Sequence, residues 1–107
     1  MSHFTVRQNE LDLWHYQFIS SEGSLLLTGT KHEVKQSCLG EIVSVRMNFV
    51  YHKNYEKRIS PSKDYFFILR SMGSEKIIGV SEMYNHLDGC EKAIVQIKKM
   101  IGKAKIM

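Results

Sequence analysis

Apolar residues alternate with polar ones along part of the chain and then recur at helical spacing. Trp14, Tyr16 and Phe18 are separated by single residues, the period of a strand with one buried face. A turn containing Gly23 and an apolar run over residues 25–27 follow, which together predict a hairpin. The period then becomes helical, with one apolar stripe made of Val34, Cys38, Ile42, Val45 and Phe49. With a further strand over residues 4–7, the first half is predicted to have the order β-β-β-α.

The same order recurs in the second half of the chain. Strands are predicted over residues 55–59, 65–69 and 76–78, and the second helical stripe consists of Leu87, Cys90, Ile94, Ile97 and Ile101. When the two halves are aligned, Trp14 matches Tyr65 at an offset of 51 residues, whereas Cys38 matches Cys90 at an offset of 52. One extra residue in the second hairpin explains the difference. The sequence therefore predicts two tandem β-β-β-α repeats, over about residues 3–52 and 53–107.

Neither repeat is large enough to bury its aromatic strand face alone, since one hairpin and one helix make too small a core. Two repeats can share one sheet, with both helices packed on the same face. We therefore predict a single α+β domain over residues 1–107, built on one antiparallel sheet. Capping boxes are expected at Thr30 and Glu33 before the first helix, and at Asn85 and Asp88 before the second.

The most specific motif lies in the second half, where residues 77–84 read "IIGVSEMY". It stands among further positions of the same pattern: Tyr65, Phe67, Leu69, Cys90, Ile94, Ile97, Lys98 and Lys99. These residues resemble the YegP-like family, small bacterial proteins of unknown function, and the resemblance extends over roughly residues 3–106. It implies units of the form β-β-β-α-β that share one sheet and exchange terminal strands, and it implies no catalytic residue. The first half departs from the motif, with "LTGTKH" at residues 27–32 in place of "GVSEMY".

Composition limits the class of protein. With 107 residues, 43% hydrophobic and 24% charged, the chain is typical of one globular domain that needs no metal or disulfide for stability. No apolar run approaches the ~20 residues that span a bilayer, and the first ten residues lack the pattern of a signal peptide. We therefore expect a cytoplasmic protein in which Cys38 and Cys90 are reduced.

Positive charge is concentrated in the second half. Residues 1–52 hold four Lys/Arg and five Asp/Glu, whereas residues 53–107 hold eleven and six. A candidate basic face on the second helix consists of Lys92, Lys98, Lys99 and Lys103. Such a face can bind phosphates, so weak nucleic-acid binding is one hypothesis. A solvated lysine surface that maintains solubility is the favoured interpretation.

A second candidate surface lies on the sheet. If the helices cover the face that bears Tyr16 and Phe67, the opposite face carries His15, Gln17, Ile19, Phe66, Ile68 and Arg70. Its three apolar members would form an unusually apolar patch for an open sheet, and such patches often mark interaction sites. The hypothesis that follows is a protein partner or a homodimer. The alternatives are partial cover by a terminus or by the 50–58 segment, and a patch too small to matter.

The chain contains no recognisable catalytic or metal-binding pattern. Ser81 and Glu82 are adjacent and point to opposite sides of an extended chain, so they cannot form a nucleophile–base pair. For Cys38 and Cys90, packing is favoured over thiol chemistry, because no CxxC motif or neighbouring histidine accompanies them. The five histidines show no metal-ligand spacing, and phosphate-binding glycine loops are absent. We therefore predict no cofactor and no metal.

These patterns together favour a small non-enzymatic binding or protein-interaction module. Weak nucleic-acid binding through the basic second half is the alternative, and a cysteine-based enzyme ranks third. The ligand, the partner and the oligomeric state stay open at this point.

Overall fold

Seven strands and two helices follow one another in a computed structural model that describes residues 1–107. The strands are β1 (His3–Gln8), β2 (Trp14–Ile19), β3 (Leu25–Thr28), β4 (Tyr55–Ile59), β5 (Tyr65–Arg70), β6 (Ile77–Val80) and β7 (Lys105–Ile106). The helices are α1 (Lys35–Asn48) and α2 (Leu87–Met100), and short 3₁₀ turns occupy His52–Asn54 and Ile101–Lys103. The order of elements therefore follows the alternation of apolar periods along the chain.

The strands form one sheet in the order β4-β5-β6-β3-β2-β1-β7. Two antiparallel groups of three strands meet where Thr28 of β3 pairs with Val80 of β6. The last strand, β7, runs parallel to β1, with Lys105 opposite His3. The prediction of an entirely antiparallel sheet is therefore wrong at this edge, and the sheet is mixed. The chain reaches β7 through α2, which carries it from β6 across the sheet to the β1 edge, so no hairpin turn sets the direction in which β7 pairs with β1.

Both helices pack on one face of the sheet and enclose a cluster of eighteen buried apolar residues. The sheet contributes the fully buried side chains of Phe4, Tyr16, Phe18, Phe67 and Leu69. The helices contribute Cys38, Ile42, Val45, Cys90, Ile94 and Ile97. The predicted α+β class is confirmed, because the strand alternation and the helical stripes meet in one core.

The helices begin differently from the sequence prediction. Val34 precedes α1 and His86 precedes α2, and neither side chain bonds to the helix that it precedes. The predicted capping boxes are therefore wrong. Val34 and Leu87, the first predicted members of the two apolar stripes, are exposed. Thr30 bonds instead to the carboxylate of Glu41, well inside α1.

Candidate functional site

The buried carboxylate of Glu41 is the least expected feature of the interior. Its side chain is 3% exposed. The Oε1 atom accepts a hydrogen bond from the Thr30 N–H (2.9 Å) and lies 3.3 Å from His32 Nε2. The Oε2 atom accepts a hydrogen bond from the Thr30 hydroxyl. These partners replace the water that burial removes from the carboxylate, and they tie the segment after β3 to the middle of α1.

Gly29 and Tyr16 shape the space around this carboxylate. An alanine Cβ at position 29 would lie 2.3 Å from Tyr16 Cδ2 and 2.5 Å from Glu41 Oε1, so the close approach requires glycine. The Tyr16 hydroxyl donates a hydrogen bond of 2.6 Å to the Ile78 carbonyl. Complete burial raises the pKa of the Tyr16 phenol well above its ordinary value, and the charge of Glu41 adds to the effect. Tyr16 therefore joins β2 to β6 as a neutral donor.

A cavity of about 410 Å³ opens between α1 and the turn that joins β5 to β6. Its lining consists of His32, Ser37, Gly40, Glu41, Ser44, Ser71, Ser74, Lys76 and Ile78. One of these residues is hydrophobic, and none is Phe, Tyr or Trp. The cavity therefore offers four hydroxyl groups, a carboxylate, an ammonium and an imidazole to a small polar molecule.

The second half of the molecule lacks this arrangement. Ala93 is the seventh residue of α2, as Glu41 is the seventh residue of α1. The Phe67 carbonyl accepts a hydrogen bond from the Ser81 N–H, as the Tyr16 carbonyl does from the Gly29 N–H. Phe67 therefore stands in the place of Tyr16, but it has no hydroxyl group. The carboxylate site therefore belongs to the first half alone.

Sequence reasoning missed this site, although two signals pointed to it. Glu41 lies three residues after Cys38 and four before Val45, which places a charged side chain on the buried side of the helix. The departure "LTGTKH" at residues 27–32 supplies both residues that bond to the carboxylate. The two signals become one site only when the chain after β3 folds against α1.

Ser81 and Glu82, the adjacent pair in the "GVSEMY" motif, contact the backbone. The Ser81 hydroxyl accepts a hydrogen bond from the Phe67 N–H and donates one to the Glu82 carbonyl, both of 2.9 Å. Ser81 is buried, whereas Glu82 is exposed. The hydroxyl therefore satisfies backbone groups where β5 and β6 end.

The six residues predicted for the open sheet face lie opposite the helices but in two separate groups, because β3 and β6 stand between their strands: His15, Gln17 and Ile19 on β2, and Phe66, Ile68 and Arg70 on β5. Five of them are half-buried, and Ile68 is only 3% exposed. Arg70 Nε lies 2.9 Å from Glu56 Oε1, and Glu56 is directly opposite Ile68 on β4. Hydrogen bonds from Arg70 and Arg58 lower the pKa of Glu56. This ion cluster borders Ile68, so the exposed patch is smaller than the sequence predicts.

The four lysines of the candidate basic face occupy different environments. Lys92 Nζ lies 3.3 Å from Asp88 Oδ2 at the surface. Lys98 Nζ lies 3.1 Å from His52 Nδ1 and 5.8 Å from the centre of the Tyr55 ring. Two lysines are exposed outside any ion pair: Lys99, near the end of α2, and Lys103, in the 3₁₀ turn beyond it. The face therefore offers fewer free ammonium groups to a phosphate backbone than its sequence predicts.

Histidine environments are equally varied. His32 lies against Glu41 and His52 against Lys98. Burial, together with the charges of Lys31 and Arg7, lowers the pKa of His15. No group of three or more His, Cys, Asp or Glu side chains is arranged to hold a metal ion. No helix has both the length and the apolar character needed to cross a membrane.

Cys38 and Cys90 are free thiols in the core, and both are fully buried. Burial raises the pKa of each thiol, and the neighbouring Glu41 adds to the rise for Cys38. The thiolate is the reactive form of cysteine. These environments therefore disfavour both residues as nucleophiles.

Thiol labelling is expected to be slow in the native protein. An aromatic disulfide reagent at about pH 8 should modify Cys38 and Cys90 at least about a hundredfold more slowly than in denaturant, because reaction requires opening of the core. A Gln36→Cys variant provides a matched control, since Gln36 is exposed on α1 and its thiol should react at once. Rapid labelling of Cys38 or Cys90 would contradict the prediction and favour thiol chemistry.

Sequence comparison relates the chain to a group of bacterial proteins. It is 23% identical over 99 residues to UPF0339 protein YegP of Yersinia pestis, across 92% of this chain and 88% of that protein. For YegP of Escherichia coli K12 the identity is 26% over 95 residues, across 89% and 86%. UPF0339 protein PA0329 of Pseudomonas aeruginosa is 24% identical over 101 residues, across 94% and 91%. The resemblance to YegP-like proteins is confirmed. No protein-family model matches the chain.

Solved structures share the YegP fold with this chain. The solution NMR structure of yegP from E. coli, described as a protein of unknown function, gives a TM-score of 0.91 at 24% identity, covering 98% of this chain and 90% of that one. The NMR structure of UPF0339 protein SO3888 from Shewanella oneidensis gives 0.90 at 20% identity, covering 98% and 88%. None of these YegP-like names states an activity, so the surfaces of this chain are the guide to its function.

Proposed function

We propose that the protein is a small non-enzymatic protein-interaction module whose interface is the outward face of α1, and that a second copy of the chain is the partner it fits. The observation that supports the proposal is an exposed helix face on which apolar side chains follow one another at helical spacing. Val43, Met47 and Val50 follow one another at spacings of four and three residues, and they are 54%, 70% and 53% exposed.

The charged residues of α1 each contact another part of the chain, and Lys35 and Arg46 remain exposed beside the apolar side chains. Lys35 Nζ lies 5.6 Å from the centre of the Trp14 ring. Arg46 Nη2 donates a hydrogen bond of 2.7 Å to the Ala104 carbonyl. The third charged residue is the buried Glu41. The outward face is therefore completed by Gln36, Leu39 and Gly40, none of which is charged.

The outward face of α2 is different and serves as an internal comparison. Val95 is 48% exposed, but Glu91, Lys92 and Lys99 flank it at helical spacing. An apolar partner would have to remove water from these charges. The two helices pack on the same sheet face, yet only α1 carries a continuous uncharged surface.

Self-association fits this surface for two reasons. The chain has a net charge of +4, which opposes the approach of two copies, and the apolar side chains of the α1 face add no further like charge at the contact. A two-fold dimer also requires a patch that is complementary to itself. Gly40 has open space where a side chain would stand, which lets two helix backbones approach closely.

Analytical ultracentrifugation tests the proposal. Between about 10 µM and 1 mM protein, the mean mass should rise from one chain toward two, since a small apolar contact gives a dissociation constant on the order of 100 µM. Met47→Glu should abolish the rise, because a charge would be buried against an apolar surface. Val95→Glu is the matched control on α2 and should leave the rise unchanged.

Other outcomes of the same measurement reject the proposal. A strictly monomeric protein over the whole range contradicts self-association through α1. A second contrary result is a dimer that persists in the Met47→Glu variant and dissociates in the Phe66→Lys variant. That result would place the interface on the open sheet face, which is the surface that the sequence favours. Nucleic-acid binding has weaker support, since it depends on Lys99 and Lys103.

Two further elements complete the proposed picture. The first is a cytoplasmic location with no catalytic role. The second is an origin of the two halves by duplication of a β-β-β-α unit. Support for the duplication comes from the two 14-residue helices and from the equivalent bridges that join Trp14 to His32 and Tyr65 to Tyr84.

A further inference from the structure

We infer that the cavity between α1 and the 71–76 turn binds a small zwitterion, such as a free α-amino acid, with the ligand's ammonium on Glu41 and its carboxylate on Lys76. This site shares Gly40 with the outward face of α1, but its charged groups lie outside that face and binding does not depend on self-association. Four features of the cavity support the inference: its charges, its free acceptor, its hydroxyl groups and its size.

The cavity contains two opposite charges that do not neutralise each other. Glu41 and Lys76 both line it, yet they form no ion pair. Glu41 is buried and comes from α1, whereas Lys76 is exposed and follows the hairpin turn. A ligand with charges of opposite sign at its two ends can contact both groups at once. A simple anion would gain the contact with Lys76 but would be repelled by Glu41.

The carboxylate retains capacity for one more donor. A carboxylate has about four lone-pair positions. Oε1 already faces the Thr30 N–H and His32 Nε2, and Oε2 accepts the Thr30 hydroxyl. One position on Oε2 is therefore open to an N–H donor from a ligand.

The remaining lining suits a polar ligand of small size. Ser37 and Ser44 come from α1, and Ser71 and Ser74, whose hydroxyl groups bond to each other, come from the opposite side, so serines line two walls of the cavity. The volume of about 410 Å³ lies in the lower part of the range for small-molecule sites. The lack of an aromatic wall disfavours sugars and nucleobases, which usually stack on rings.

A second cavity provides a comparison within the same molecule. It lies between α2 and the turn of the first hairpin, and its lining includes Glu22, Glu82, Lys92 and Ala93. Ala93 stands where α1 has Glu41, so this cavity has no buried carboxylate at its base. We therefore expect the zwitterion at the first cavity and not at the second.

Nuclear magnetic resonance titration tests the inference directly. The twenty free amino acids are added singly at about 10 mM to the ¹⁵N-labelled full chain. At least one should shift the amide signals of Ser37, Gly40, Ser44, Ser71 and Ser74. Its N-acetyl and methyl-ester derivatives, which each lack one charge, should bind at least about tenfold more weakly.

Variants keep the result interpretable. Lys76→Met removes an exposed charge without disturbing the core and should weaken binding about tenfold or more. Lys92→Met at the second cavity is the matched control and should change nothing. Glu41→Gln, in protein that remains folded by its amide spectrum, should also weaken binding about tenfold. The inference is overturned if no amino acid shifts these signals, if acetate or phosphate binds as well as the zwitterion, or if Lys76→Met has no effect.

Discussion

Replacing Glu41 with alanine is expected to lower the free energy of unfolding by about 3 kcal/mol. The substitution removes the acceptor for both Thr30 donors and the partner of His32. Thr30 and His32 are half-buried, so water replaces their lost hydrogen bonds only in part. The missing side chain also leaves a small void. For a chain of this size the midpoint of thermal unfolding should fall by roughly 12 °C, which circular dichroism measures.

Two variants serve as controls for this prediction. Glu91→Ala removes the partner of Lys57 at a half-exposed position and should cost less than about 1 kcal/mol. Glu41→Gln keeps the shape and one acceptor oxygen, so it should have an intermediate effect. A Glu41→Ala variant as stable as Glu91→Ala would show that the buried carboxylate does not stabilise the fold.

A Gly29→Ala variant is expected to be destabilised by about 3 kcal/mol, the upper part of the range for overpacked interiors. The added methyl group would stand 2.3 Å from the Tyr16 ring and 2.5 Å from Glu41 Oε1. Neither neighbour moves freely, because Tyr16 is fully buried and its hydroxyl is bonded to Ile78. Relief of the clash must therefore shift the backbone after β3 or break the contacts of the carboxylate. Urea unfolding with unchanged m-value measures the loss.

Gly40→Ala is the matched control, with the opposite expected sign. Gly40 lies within α1, and a Cβ there would have no neighbour within 4 Å. Alanine should therefore stabilise the protein by about 1 kcal/mol, through its higher helix propensity. Equal effects of alanine at positions 29 and 40 would contradict the close packing of Gly29 against Tyr16.

The alternation of residues was sufficient to predict β1 to β6, the two helices and most of the core. Tyr16 and Phe18 on β2, like Cys38 and Ile42 on α1, are buried as their spacing predicts. This succeeds because strand and helix periods are local properties, and one buried face is enough to assign each element. The predicted capping boxes failed for a related reason: Thr30 has a better partner in Glu41, which is distant in sequence from the helix start.

The candidate surfaces show the limits of the same reasoning. Alternation correctly assigned Ile68 to the face opposite the helices, but it did not predict that Ile68 is buried. Its burial depends on neighbours in β4 and β6 and on the Arg70–Glu56 ion pair. Helical spacing placed Lys98 among the basic residues, but its contacts with His52 and Tyr55 come from another part of the chain. Exposure and pairing are properties of the assembled surface.

The sequence by itself determined the order of the elements, the side of each that is buried and the resemblance to YegP-like proteins. Only the tertiary structure decided that β7 joins β1 in parallel, that Glu41 bonds to the segment after β3, and that Arg46 of α1 bonds to the Ala104 carbonyl. The physical reason is the range of the interactions. Periodicity follows from backbone geometry over a few residues, whereas the pairing of a buried carboxylate or a returning strand depends on groups brought together from distant parts of the chain.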